Sequence, residues 1–233
     1  MEETFNITTD KDTKEIVIRK GEALPLREKN KVQISGSISA PRLFFEKRNA
    51  DHESKWCHVL YSKNEQKIKL VVDEEDKLGK DVTGVLEMNT DFKDFGINSM
   101  KMYTVQELMQ FLKLRKFFFD DRDQNVTIVT NLQKFKASIT TQIEQEKSNQ
   151  GNQKKVLDIK VDSNIPLNFV LSMPIFKGFD NYKFAVEICY DVRDNSAILW
   201  LESVELAELM ASETARIITE ELKSFEAIVC IEY

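Results

Sequence analysis

Histidine, cysteine, proline and glycine are all scarce in this chain: 233 residues include two His, three Cys, four Pro and seven Gly. Each scarcity removes a kind of chemistry. A serine triad needs a histidine, and neither His52 nor His58 lies near a Gly-x-Ser-x-Gly elbow. Seven glycines without a cluster leave little from which to build a loop that cradles phosphate. Leu78-Gly79-Lys80-Asp81 holds a Gly-Lys pair, but Glu74 stands where a P-loop needs Gly and Asp81 where it needs Ser or Thr. Cys57, Cys189 and Cys230 lie far apart with no Cys-x-x-Cys, each in an apolar or alternating stretch. They read as reduced, half-buried strand cysteines, which suits a reducing cytosol. Adjacent strand positions point to opposite faces, so Cys57 and His58 form a poor pair for a shared metal. Long apolar runs are also missing. Runs such as Phe117 to Phe119 and Ala197 to Leu201 are short, too short for a membrane-spanning helix. The first twenty residues carry Glu2, Glu3, Asp10, Asp12 and Glu15 with no apolar segment, unlike a secretory signal.

What is present is ordinary for a folded protein. Apolar residues make up 42% and charged residues 31%, with a formal net charge of −6. The length suits one or two domains with a proper core. Residues 1–14 are polar and acidic and read as an arm, and Glu15 to Arg19 as a first strand. Lys31 to Ile38 alternates and predicts a strand ending near Gly36. Ser39-Ala40-Pro41 then opens a short helix, with Ser39 as its N-cap. Trp56 to Ser62 and Gln66 to Asp73 predict a hairpin, with Ile68, Leu70 and Val72 on the buried face. Val82 to Met88 predicts a further strand.

Thr104-Val105-Gln106-Glu107 is a capping box, and the apolar spacing after it predicts an amphipathic helix to about Phe119. Asp120 to Asp123 is expected to end that helix. A second helix is expected over most of residues 124–148. The polar stretch 149–155 reads as a linker. Beyond it the period becomes two, predicting strands at 156–161, 168–173, 182–192 and 197–202, with a turn at Asp194-Asn195. Residues 202–225 predict a long amphipathic helix, on which Glu220 and Glu221 oppose the macrodipole and need other support. Ala227 to Tyr233 predicts a closing strand. The fold class expected is α+β, mainly antiparallel sheet, with a mid-chain helical pair and a long C-terminal amphipathic helix. The organisation expected is 1–30, 31–148, a linker at 149–155 and 156–233, or one domain overall.

Two side-chain groups deserve weighing as sites. Lys113, Arg115 and Lys116 interleave with Phe111 and Phe117 to Phe119. Basic and aromatic residues together suit single-stranded nucleic acid, where bases stack and phosphates pair. Lys113, Arg115, Lys116 and Phe117 are the residues this reading selects. Against it, helical spacing puts most of these Phe on an apolar stripe flanked by Lys and Arg stems. The acidic balance also opposes tight non-specific binding. Asp121-x-Asp123-x-Asn125 opens like a calcium loop, but Val126 replaces the required Gly and Leu132 the bidentate Glu. Only a weak divalent-ion site using Asp120, Asp121 and Asp123 is then conceivable. No cofactor is expected, and no enzyme.

The order of segments resembles a known family. Ser35-Gly36-Ser37-Ile38-Ser39-Ala40 enters a short helix. Two strands follow, and Gly84-Val85-Leu86-Glu87-Met88-Asn89 leads to Asp91-Phe92. Then come Tyr103 to Leu112, Ile165-Pro166-Leu167-Asn168-Phe169, Pro174-Ile175-Phe176-Lys177-Gly178, a strand pair and a Leu/Glu-rich helix. Over roughly residues 33–225 this is similar to the YfdQ-like family of phage and prophage proteins, whose function is unknown. The charged first forty residues and the lysine-rich loops depart from it. The resemblance carries over no catalytic residue. It implies an accessory role in the cytoplasm of an infected bacterial host, with association with the virion also open. The leading expectation is a non-enzymatic protein acting through protein surfaces, as a homo-oligomer or with a host or phage protein, and with no membrane. The alternative is a single-stranded nucleic-acid binder of phage replication or recombination.

Overall fold

The computed structural model describes residues 31–48, 53–75, 79–149, 168–193 and 196–233. The expected arm and strand before residue 31, the linker beyond residue 149, the strand at 156–161 and the Asp194-Asn195 turn lie outside them. Residues 31–233 form one unit and residues 1–30 another. The larger unit holds two sheets and five α-helices among the described residues. The class is α+β, with antiparallel pairing predominating.

The first sheet has strands β1 (Val32–Ser37), β2 (Cys57–Ser62), β3 (Lys67–Val72), β4 (Lys80–Val85) and β9 (Val229–Glu232), in the order β1-β4-β3-β2-β9. The hairpin β2–β3 forms as the alternation requires, with Cys57 opposite Val72 and Ser62 opposite Lys67. Ile68, Leu70 and Val72 are buried while Lys67 and Lys69 are only half-covered. β3–β4 is antiparallel, and parallel ladders occur only at the two flanks, β1–β4 and β2–β9. Strand β4 ends at Val85, three residues before the expected Met88. The Leu86 amide turns away to donate to the Gln66 carbonyl at 2.8 Å, and Met88 instead bridges to Phe176.

The second sheet has β5 (Tyr103–Thr104), β6 (Asn168–Met173), β7 (Tyr182–Arg193) and β8 (Ser196–Glu202), antiparallel throughout in the order β5-β8-β7-β6. Inward residues Phe169, Leu171, Phe184, Val186, Ile188, Leu199 and Leu201 are buried, the alternation of a sheet covered on one face.

Helix α1 (Ala40–Arg48) follows Ser39 as expected, and Ser39 accepts from the Leu43 amide through its carbonyl at 2.9 Å. Its hydroxyl donates to the Glu221 carboxylate at 2.7 Å. Helix α2 (Thr90–Phe95) is capped by Asn89, whose Oδ1 accepts from the Asp91 amide, and it stops at left-handed Gly96. Helix α3 (Val105–Leu114) starts at the Thr104/Glu107 capping box. It ends five residues short of Phe119. A 3-10 turn over Lys116–Phe118 follows, and Phe119 bridges to Leu171 while its ring stacks on Phe169 at 4.9 Å. Burial of Phe118 and Phe119 therefore comes from a turn onto β6, not from one helix.

Helix α4 (Arg122–Asn149) is the second of the mid-chain pair. The acidic stretch begins it rather than ending α3: Asp121 Oδ1 accepts from the Asp123 amide at 2.8 Å. Buried Asn125 ties the pair together by donating to the Leu112 carbonyl at 3.0 Å.

Helix α5 (Leu206–Leu222) buries Leu206, Ile217 and Ile218. It joins both sheets through Gln66–Thr214 on one side and Tyr182–Glu213 on the other. The support that Glu220 and Glu221 require is present: Lys223 pairs with Glu220, and Ser39 and Arg42 hold Glu221, Arg42 at 2.7 Å. Apolar side chains from both sheets and all these helices form one buried cluster.

Candidate interaction surfaces

The basic–aromatic segment divides on folding. Arg115 turns inward. It pairs with Asp94 at 3.1 Å, and its guanidinium lies 4.0 Å over the Phe111 ring. It braces α3 against α2 and is committed to the fold. Lys113 and Lys116 make no ion pair among the described residues. Phe117 projects outward, 62% exposed, with its ring 4.1 Å from that of buried Phe118. Leu114 beside it is 74% exposed. Lys113 and Phe117 are thus exposed and Lys116 half-buried, while Arg115 is drawn into the fold and exposed Leu114 stands beside them in sequence. Leu114 was missed because it lies off the apolar stripe of α3. Together these residues form an apolar knob with a basic flank.

The three aspartates are not assembled into one site. Asp120 pairs with Lys183 at 2.7 Å, Asp121 caps α4, and Asp123 supplies the amide that Asp121 accepts from. Among the described residues, no group of three His, Cys, Asp or Glu could hold a metal ion.

The cysteines are free and lie on strands β2, β7 and β9. Burial pushes the Cys57 and Cys230 thiols up. Burial, reinforced by Glu202, pushes Cys189 up to about 11. Thiolate, the reactive form, is therefore scarce near neutral pH. His58 faces Glu74 from the side of β2 opposite Cys57.

The outward face of the second sheet carries a feature that sequence reasoning missed. Ile198, Trp200 and Glu202 alternate outward on β8, opposite Asp191, Cys189 and Glu187 on β7. With the segment Asn98 to Met102, Ile198, Trp200, Glu202 and Asp191 line a groove of about 640 Å³. Its apolar walls are Met100 (96% exposed), Met102 (64% exposed), Ile198 and Trp200. The segment is pinned. The Asn98 amide donates to Leu201 O at 3.0 Å, its side-chain amide to Ser203 O at 2.7 Å, and its Oδ1 accepts from Ser203 N at 2.8 Å. Trp200 is pinned too, its indole N–H donating to Glu202 at 2.6 Å. A signal existed in the sequence: Ile198 and Trp200 occupy the face of β8 that the alternation assigns to polar residues.

The first sheet leaves its outer strands open. Among the described strands, β9 pairs only with β2 and β1 only with β4. Every residue of β9 is exposed, Val229 at 65%, with Ile231 and Tyr233 also outward.

This chain matches no protein-family model, no curated protein and no solved structure.

Proposed function

We propose that this protein is a non-enzymatic phage or prophage accessory protein of the YfdQ-like kind, acting through protein surfaces and associating with itself. The observation that carries the self-association is the edge at β9, which has no second partner among the described strands. Edge strands expose unpaired N–H and C=O groups, and natural proteins blunt them with Lys, Pro or a covering element. β9 has neither Lys nor Pro; it presents Val229 and Ile231, and its one charge, Glu232, is paired with Lys63 at 3.3 Å. A second copy that adds its own β9 satisfies both rows of backbone groups at once, around a twofold axis. Four residues offer few backbone bonds, so the association is weak and concentration-dependent. The phage origin rests on the segment order. An infected bacterial cytoplasm accords with three free thiols and with the lack, among the described residues, of any helix long and apolar enough to cross a membrane.

Light scattering over a micromolar concentration series tests the reading. Mass should rise above the monomer, and Ile231→Lys, which places a charge on the edge, should lower the mass reached at each concentration. A wild-type protein that stays monomeric throughout would overturn the β9 edge.

A second reading, binding of single-stranded nucleic acid, is favoured by one observation: Phe117 is exposed for stacking, next in sequence to Lys116 and four residues after Lys113, and both lysines lack ion pairs among the described residues. Under it, an oligonucleotide shifts in a gel at low salt and the shift weakens steeply as salt rises. No shift at low salt removes this reading.

A further inference from the structure

The knob at the end of α3 and the groove on the second sheet are complementary in two independent respects. One is shape and polarity. The knob offers a phenyl ring and an isobutyl group, Phe117 and Leu114, both largely exposed. The groove offers two methionines, an isoleucine and an indole around about 640 Å³. Methionine fits itself to an incoming side chain, and aromatic anchors filling such a pocket carry most of the energy of an interface. The other respect is charge. The knob is flanked by Lys113 and Lys116, whereas Asp191 and Glu202 line the groove. Glu187 stands directly opposite Glu202 in the ladder, deepening the negative field there. Like charges facing across a ladder are destabilising, and a cation arriving from outside relieves that cost.

Within one chain the knob does not fill the groove: Leu114 and Phe117 stay 74% and 62% exposed, and Met100 and Met102 stay 96% and 64% exposed.

We propose that the groove lined by Met100, Met102, Ile198 and Trp200 receives Leu114 and Phe117 of a second copy of this chain. Lys113 and Lys116 then face Glu202 and Glu187. The contact joins different surfaces of the two copies, so it propagates head to tail and closes into a ring or extends as a filament. It builds on self-association but does not use the β9 edge. It also deepens the function: with both contacts in place, the protein forms larger assemblies than a dimer.

The test uses the full chain carrying Ile231→Lys, which removes the edge. Light scattering should still show concentration-dependent association that weakens with salt. In that background, reversing the knob (Lys113→Glu with Lys116→Glu) should leave a monomer. Reversing the groove (Glu187→Lys with Glu202→Lys) should do the same. An equimolar mixture of the two should associate again, because each reversed knob meets a reversed groove. Restoration in the mixture also shows that both variants are folded. An Ile231→Lys protein that is monomeric at every concentration overturns the groove contact while leaving the β9 reading intact. So do reversed variants that associate as well as their parent. An Ile231→Lys protein that associates as strongly as wild type supports the groove and removes the edge.

Discussion

Two buried carboxylates show how single residues hold this fold. Glu221 is buried on α5 and receives Ser39 and Arg42, each at 2.7 Å. The contact raises the Arg42 pKa, chiefly through the hydrogen bond to Glu221. Removing the acid leaves a half-covered guanidinium without its main partner. Glu221→Ala should therefore cost about 1.5–3 kcal/mol, the usual worth of a charged hydrogen bond, read as a lower urea midpoint. Asp81 makes a different case. Burial alone pushes its pKa up, but hydrogen bonds from Lys31 and Lys69, each at 3.0 Å, outweigh that and hold it below the ordinary carboxylate value. A carboxyl held low in the fold stabilises it above the unfolded pKa of about 3.9, and that support is lost as pH falls further. Asp81→Asn should thus flatten the acid limb of stability against pH, with wild type and variant converging at the lowest pH. Tyr103 shows the opposite sign. Burial pushes it up to about 12, with its hydroxyl donating to Phe95 O at 2.9 Å. The stability it lends is complete below about pH 10 and fades as pH climbs through the folded value. In a spectrophotometric titration one tyrosine should ionise only as pH nears 12, and Tyr103→Phe should abolish that late step.

At the scale of elements, local chemistry and tertiary fit divide the work. The Thr104/Glu107 capping box was readable from four letters, because both hydrogen bonds lie within one turn. The β2–β3 hairpin was readable for a similar reason: its alternation and turn are local. The end of α3 was not. Phe117 to Phe119 continue the apolar composition, but which of them is buried depends on β6, some fifty residues later in sequence. The end of β4 was equally hidden, and its Gly84 shows why. A Cβ there would lie 2.6 Å from Ile38 O, 2.7 Å from Pro41 Cδ and 2.8 Å from Ser37 O. The backbone leading into α1 rests directly on β4, and none of those atoms is the end of a flexible side chain. Gly84→Ala should force the two apart and destabilise by about 1–3 kcal/mol, the range for overpacking. Thermal unfolding of the variant measures it.

For the whole molecule, the buried side chains of both sheets make one cluster, and α5 bonds to both. Residues 31–233 should therefore unfold in one step. Phe176 is fully buried and its backbone bridges to Met88. Phe176→Ala should lower stability by about 3–5 kcal/mol. Urea melts followed by tryptophan fluorescence and by circular dichroism should still coincide. Separate transitions would show that the two sheets fold independently.

By itself the sequence determined the elements whose hydrogen bonds and apolar faces close within a few residues. These are the hairpin, the capped helix, the long C-terminal helix and strands β6, β7 and β8. It also showed no P-loop and no histidine beside a Gly-x-Ser-x-Gly elbow. Tertiary structure alone decided which residues remain outside. Arg115 was drawn in because Asp94 and Phe111 lie beneath it. Phe117, Leu114, Met100 and Met102 were left facing water because nothing in the described fold covers them. Exposure is set by distant neighbours, and local spacing does not encode who those neighbours are.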